Sequence, residues 1–268
     1  MRRIVVHGHR GARALRPENT VPAFRYAIEQ GVDVLELDMA VTKDGVIVVS
    51  HDPHMNRAIC QAPPDLPQDA ETSIHRLTFK QVRTWDCGAL KNPAFPKQQP
   101  EPGTKMPTLG EVFDAAAASP VEFNIETKIF LAQPDLAPDP ATFARMVVDK
   151  VRGHKLERRV IVQSFDFRTL KEVRKLAPGI RLAALYMGPP KSFVEIGREA
   201  GGVEIISPHF SVVTPAEVSA AHGAGMQVVA WTANSPDVWQ KLVDAGCDAI
   251  ISDDPGALIA WLKSMNLR

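Results

Sequence analysis

Val34-Leu35-Glu36-Leu37-Asp38-Met39-Ala40-Val41, then Thr42-Lys43-Asp44-Gly45, then Val46-Ile47-Val48-Val49-Ser50-His51-Asp52, is the stretch on which the fold turns. It reads as a strand, a tight turn and a returning strand. Side chains alternate along an extended chain, so Glu36 and Asp38 share one face while Leu35 and Leu37 take the other. Two carboxylates on one face of an apolar strand are costly unless something cationic sits between them. Asp44-Gly45 supplies the positive φ of a hairpin turn, and Val46 to Val49 run back antiparallel to deliver His51 and Asp52. With the turn centred on Lys43 and Asp44, opposed residue numbers sum to about 87, which sets His51 opposite Glu36.

Outside this hairpin, strand and helix signals alternate. Ile4 to His7 is a short apolar run of the kind buried on both faces. Asn19 and Thr20 then offer N-cap oxygens and Pro22 suits a first turn. Ala23, Phe24, Ala27 and Ile28 recur at helical spacing up to Gly31. From 108 onward the spacing predicts helices over 109–118, 141–154, 167–176, 193–200, 215–222, 236–245 and 255–265. Strands are predicted between them at 121–127, 160–163, 181–186, 203–207, 226–232 and 249–252. With 4–7 and 34–40 these make eight strand-then-helix units in 268 residues. That predicts one α/β domain, a (β/α)8 barrel of the TIM type, a class that runs to roughly 250 residues undivided. A doubly wound open sheet is the alternative, but no glycine-rich phosphate loop follows the first strand. Residues 53–107 break the pattern. They are rich in Pro, Gln and Lys, hold one helical stretch around Thr78 to Trp85, and read as an insertion over one barrel mouth.

The formal net charge is zero, so no electrostatic argument favours nucleic acid or an anionic membrane as a partner. No run approaches the ~18 apolar residues of a membrane span. Met1-Arg2-Arg3 leads straight into a strand without the apolar region of a signal peptide. Cys60, Cys87 and Cys247 are odd in number and scattered, which argues against a disulfide framework and for a reducing compartment. A cytoplasmic protein is expected, with the periplasm or secretion open if a leader has been trimmed. Oligomeric state is not encoded in anything legible here.

Catalytic groups of such barrels sit at the C-terminal ends of the strands. The polar residues fall there: His9 and Arg10, Glu36 and Asp38, Asn124 with Glu126 and Lys128, Gln163 and Ser164, Ser207 and His209, Trp231 and Asn234, Asp253 and Asp254. Glu36, Asp38 and Glu126 form a set of hard oxygen donors suited to one divalent cation, Mg2+ or Ca2+. Neutralisation by Arg10 or Lys128 is the plainer account of the same acids. His9 and His51 are placed to meet the carboxylates and to act as a general acid and base. The other histidines (His7, His54, His75, His154, His209, His222) are expected simply to be hydrogen-bonded in place. Arg10 brings a fork and Lys128 a compact charge, a combination that recognises phosphate. Trp231, with Phe165 and Phe210, is a candidate lining for the mouth and the substrate. Gly11 would let the backbone turn sharply beneath it.

His9-Arg10-Gly11-Ala12, Pro17-Glu18-Asn19-Thr20, Glu36-Leu37-Asp38, His51-Asp52 and Asn124-Ile125-Glu126-Thr127-Lys128 together resemble the glycerophosphodiester phosphodiesterases. Gln163-Ser164-Phe165, Trp231-Thr232-Ala233-Asn234 and Ile251-Ser252-Asp253-Asp254-Pro255 resemble later signposts of that family, and the likeness runs almost end to end. The resemblance implies a distorted (β/α)8 barrel that hydrolyses glycerophosphodiesters to glycerol 3-phosphate and an alcohol, with the family's small extra segment after His51. By matching positions it implies metal at Glu36, Asp38 and Glu126, acid–base roles for His9 and His51, and phosphate contacts from Arg10 and Lys128. It also implies attack by the glycerol 2-hydroxyl, through a cyclic phosphate that water opens. A lysophospholipase D shares the chemistry but needs an apolar groove, which Trp85, Phe95 and Met106 could supply. A non-catalytic phosphate-ligand binding protein on the same barrel would have no use for the His9–His51 pair.

Overall fold

The alternating runs fold as nine strands and nine α-helices among the described residues of the computed structural model, residues 3–268. Met1 and Arg2, read above as a charged lead-in, lie outside them. The strands are β1 (Val5–Gly8), β2 (Val34–Val41), β3 (Ile47–Val49), β4 (Glu122–Thr127), β5 (Val160–Ser164), β6 (Arg181–Tyr186), β7 (Ile205–Pro208), β8 (Gln227–Ala230) and β9 (Ala249–Ser252). The helices are α1 (Val21–Gln30), α2 (Phe79–Val82), α3 (Leu109–Ala115), α4 (Pro140–Gly153), α5 (Phe167–Leu176), α6 (Phe193–Glu199), α7 (Pro215–Gly223), α8 (Pro236–Asp244) and α9 (Pro255–Ser264). Start signals are local and legible. Thr20 and Asp139 cap α1 and α4 through their side chains, and Thr108 with Glu111 forms a capping box on α3.

β1 pairs in parallel with both β2 and β9, and β4 to β9 join them in sequence order. Eight parallel strands therefore close into the TIM-type barrel, with β3 an antiparallel arm on β2. Most of the core lies between the strands' outer faces and the helices. Leu35, Leu37, Phe123 and Ile125 meet Phe24, Leu109, Phe143 and Leu170 there, each such side chain contributing about 1.5–3 kcal/mol on burial.

The hairpin register differs from the sequence expectation by one. Met39 faces Val49 and Ala40 faces Val48, so opposed numbers sum to 88. Lys43, Asp44 and Gly45 form a three-residue loop, with Gly45 at φ 77°. Thr42 Oγ1 anchors it by donating to Asp44 and accepting from the Val46 N–H. The last ladder bond is Ser50 N–H to the Asp38 carbonyl. His51 is therefore not paired opposite Glu36, but is released just past the ladder into the barrel mouth.

Residues 53–107 carry a small apolar cluster of their own, in which Met55, Ile74, Leu77, Val82, Trp85 and Met106 pack with Val48 of β3. Trp85 and Met106 are thus core, and Phe95 lies against the Arg13 guanidinium. The apolar groove expected of these three is not there. Cys60 and Cys87 form a disulfide, which corrects the reading of scattered free thiols. Gln61 and Asp86 exchange both backbone hydrogen bonds as an antiparallel bridge. Their neighbours Cys60 and Cys87 then fall opposite each other at a non-hydrogen-bonded position, where Cα atoms come closest. Cys247 is free and buried, its thiol pushed up to about 12 by that burial. No helix among the described residues is long and apolar enough to cross a membrane.

Candidate active site

Because β2 pairs with β4 in parallel register, Glu36 lies beside Asn124 and Asp38 beside Glu126, all facing the barrel interior. Glu36, Asp38 and Glu126 are buried, and one oxygen of each lies within 4.8 Å of the others. Cations meet them from two sides. Lys128 Nζ lies 3.1 Å from Asp38 Oδ1 and 2.7 Å from Glu126 Oε1. Arg10 donates its backbone N–H to Glu36 Oε2 at 2.9 Å and Nη1 to Glu18 Oε1 at 2.6 Å, and its Nε lies 3.3 Å from Asp38 Oδ2. Arg10 adopts a left-handed backbone at φ 48°, a strained state for a long side chain that surrounding contacts must hold. Gly11 follows at φ 84°, where a Cβ would sit 2.7 Å from the Ala23 backbone.

The three carboxylates outnumber the two cations that touch them, and they respond accordingly. Burial, and the charges of Asp38 and Glu126, push Glu36 well above the usual carboxylate range despite the Arg10 N–H. Burial likewise raises Glu126, with Lys128 opposing and Asp38 adding to it. Burial acts on Asp38 in the same sense, but Lys128, Arg10, His51 and the Asn19 amide outweigh it and hold Asp38 well below that range. This uncompensated negative charge on an all-oxygen donor set is what a hard divalent cation would relieve, so Glu36, Asp38 and Glu126 fit one.

His9 and His51 reach the cluster by different routes. His9 follows β1 and is nearly enclosed, with Nε2 3.9 Å from Glu36 Oε2 and Nδ1 2.5 Å from Asp253 Oδ1. Burial lowers its pKa, with Asp253 opposing. His51 is half-exposed and leans on its neighbour, Nδ1 lying 2.9 Å from Asp52 Oδ1, while Asn56 donates to Oδ2. His9, Arg10, Glu36, Asp38, His51, Glu126, Lys128 and Trp231 line one cleft of about 350 Å³, whose other wall is Phe165, Leu185, Met187 and Ile251. The eight residues given catalytic, metal or substrate roles from the sequence are all in it, as is Phe165, but Phe210 is not and packs against the core instead. Trp231 packs edge-on to Phe165 at 5.6 Å and donates its indole N–H to the Ser207 carbonyl.

The sequence reading assigned no role in the site to the side chains that hold these groups. Glu18 receives Arg10, Asn19 donates to Asp38 Oδ2 at 2.9 Å, and Gln163 donates to Glu36 Oε1 at 2.8 Å while accepting from Asn124. Asn19 reads as an N-cap oxygen beside Thr20; Thr20 is the cap, and Asn19, at a φ of 57° that Asn tolerates, turns its amide to Asp38 instead.

Fold and site together define a barrel enzyme with paired imidazoles beside an acidic oxygen cluster. Residues 9–257 match the model of the glycerophosphoryl diester phosphodiesterase family. A glycerophosphodiester phosphodiesterase of Caldanaerobacter subterraneus is 30% identical over 97% of this chain and 98% of its own. A crystal structure from Silicibacter pomeroyi, assigned to the glycerophosphoryl diester phosphodiesterases, superposes with a TM-score of 0.91 at 31% identity, covering 98% and 94% of the two chains. An Oleispira antarctica phosphodiesterase in complex with its product sn-glycerol-3-phosphate shares the fold, with a TM-score of 0.80 at 23% identity over 97% of each chain. The chain belongs to the glycerophosphoryl diester phosphodiesterase family, and it is a phosphoric diester hydrolase.

Proposed function

We propose that this enzyme hydrolyses glycerophosphodiesters to glycerol 3-phosphate and an alcohol, with His9 and His51 as its acid–base pair. The observation that carries the reading is one cleft joining two imidazoles, three carboxylates, Arg10 and Lys128. The product held by the Oleispira relative is the product expected here. Arg10 and Lys128 bind and orient the phosphate, and Trp231 packs against the substrate's carbon skeleton. One imidazole takes the proton of the glycerol 2-hydroxyl as its oxygen attacks phosphorus. The other protonates the departing alkoxide as the ester bond breaks, leaving a cyclic phosphate. Water then opens the ring with the two roles exchanged. Glu36, Asp38 and Glu126 would hold one divalent cation, Mg2+ or Ca2+, which supplies charge neutralisation at the phosphoryl oxygens.

Residues 53–107 are read as an insertion of a single barrel domain, lying over the barrel mouth against the segment that joins β1 to α1. Its attachments support this: Gln98 donates to the Arg13 and Arg16 carbonyls, and Asn92 to Glu18. The Cys60–Cys87 bond favours the periplasmic or secreted alternative over the cytoplasm.

A second reading, a lysophospholipase D on acylated diesters, draws on a different feature. Phe165 and Met187 follow β5 and β6, line the cleft and are exposed by 49% and 65%, an apolar rim that an acyl chain could cover. The test incubates the enzyme with glycerophosphocholine or its acylated counterpart, with Mg2+ or Ca2+. Release of glycerol 3-phosphate, silenced by chelation and restored by the ion, is expected. Faster turnover of the acylated diester would favour the second reading. Full activity in excess chelator would remove the cation from the mechanism, and binding of diesters without turnover would indicate a non-catalytic barrel.

A further inference from the structure

Asp253 stands at the C-terminal end of β9, beside β1 in the closed barrel, and is 3% exposed. Every polar contact of its carboxylate comes from a donor. Oδ1 receives His9 Nδ1 at 2.5 Å and Arg13 Nε at 2.7 Å, and Oδ2 receives Asn234 Nδ2 at 2.7 Å. The Asn234 amide cannot turn round, because its Oδ1 accepts from the Asp253 N–H at 2.9 Å and from Ser252 Oγ at 3.2 Å. Arg13 is held in turn by Phe95, whose ring lies 4.8 Å beneath the guanidinium, and by Gln98 on its carbonyl. Across the imidazole, His9 Nε2 faces the carboxylates, 3.9 Å from Glu36 Oε2.

We propose that Asp253 is a positioning residue for the reaction: its carboxylate fixes His9 as the Nδ1–H tautomer and aims Nε2 at the substrate oxygen with which it exchanges a proton. The inference rests on the reading of His9 as one of the acid–base pair. Between two ring nitrogens, only the one not bonded to a carboxylate can take or give the working proton. With Nδ1–H committed to Asp253, that atom is Nε2. Asp253 itself keeps its charge throughout; burial pushes its carboxyl up, but His9, Arg13 and Asn234 outweigh this and hold it at about 2. A neutral amide of the same shape cannot replace it. With its oxygen towards His9, its NH2 meets the Asn234 NH2. Turned round, its NH2 meets Arg13 Nε and forces His9 Nδ1 to accept, which moves the ring proton to Nε2 and spoils the base. In a Ser-His-Asp hydrolase the equivalent Asp→Asn change gives the wrong tautomer and costs about 10⁴-fold in kcat.

Asp253→Asn is therefore expected to lower kcat by about 10²–10⁴-fold while KM and affinity for the divalent ion change by less than about threefold. Nitrogen NMR of the imidazoles is expected to show His9 as the Nδ1–H tautomer in the parent and not in the variant. In a His9→Ala background the same substitution is expected to cost less than about threefold more, since a residue that acts through His9 has nothing left to position. An undiminished effect in that background, or a parent-like kcat, would overturn the proposal. If Asp253→Asn does not fold, Asn234→Ala frees Oδ2 without removing the charge. A drop in kcat at constant KM then supports the proposal, and an unchanged kcat overturns it. Should His9→Ala itself keep full activity, the acid–base reading of His9 fails, which is distinguishable from Asp253→Asn keeping activity while His9→Ala loses it.

Discussion

The two halves of the barrel interior are built from different material. β1, β2, β4 and β5, with their continuations, send in His7, His9, Glu36, Asp38, Asn124, Glu126 and Gln163. β6 to β9 send in Ala183, Ile205, Val229, Ala249 and Ile251, joined by Ile161 of β5, with Trp231 at the rim and the Asn234–Asp253 pair beyond the strand ends. Separation keeps the polar half affordable. Each buried charge there lies within reach of an opposite charge or an amide, whereas a carboxylate set among the Ala183, Ile205 and Val229 side chains below the mouth would meet carbon. The apolar half gives a stiff wall against which the polar half is assembled. It should therefore respond to substitution through stability, and the polar half through rate.

The largest effect is expected at His51. His51→Ala should lower kcat by about 10²–10⁴-fold with the fold and metal affinity intact, because the half-exposed ring hydrogen-bonds to the adjoining Asp52 and not to a carboxylate of the buried cluster among the described residues. Activity within about tenfold of the parent would mean that His51 is not in the acid–base pair. The converse test is Ile205→Ala, deep in the apolar half and 1% exposed. It should cost about 2–5 kcal/mol of stability in a thermal or denaturant melt. Its kcat per folded molecule should fall by less than about tenfold, or 1.4 kcal/mol of barrier. A larger loss of rate than of stability would erase the division between the halves.

The same division explains what could be read from the chain before its fold. Alternation placed Glu36 and Asp38 on one face because periodicity of 2 in a strand is a local property, and the parallel register of β2 and β4 then carried Asp38 to Glu126, whereas the imidazoles were legible only as residues just past strand ends. Contacts between loops and the ends of other strands carry no periodicity. Asp253 reaches His9 across 244 residues of sequence, and Glu18 and Asn19 reach Arg10 and Asp38 from an irregular segment. The hairpin slipped by one because a three-residue loop with glycine in the left-handed region competes closely with a two-residue turn. Cys60 and Cys87 looked unrelated because their pairing depends on one isolated bridge at Gln61 and Asp86, inside a segment whose structure comes from side-chain anchors instead of repeats.

The smallest effect expected sharpens the contrast at the boundary between the halves, where His7 is buried in the polar half beside Ile251 of the apolar half. Its Nδ1 lies 3.4 Å from Asn124 Nδ2, and burial lowers its pKa from 6.5 to about 3, with Asp33 opposing and Arg181 adding. Between those two values the unfolded chain takes up a proton that the folded chain refuses. Stability therefore rises with pH across the window and is lost on acidification from pH 6.5 towards 3, with a slope of about 1 kcal/mol per pH unit from this residue. Above pH 6.5 it contributes no slope. His7→Gln keeps an acceptor for the Asn124 amide and removes the titration. The variant's melting temperature should accordingly fall less steeply than the parent's between pH 6.5 and 4. Because the carboxylates titrate in both proteins, the difference between the two curves isolates His7, and parallel curves would mean that the imidazole is solvated or already charged in the fold.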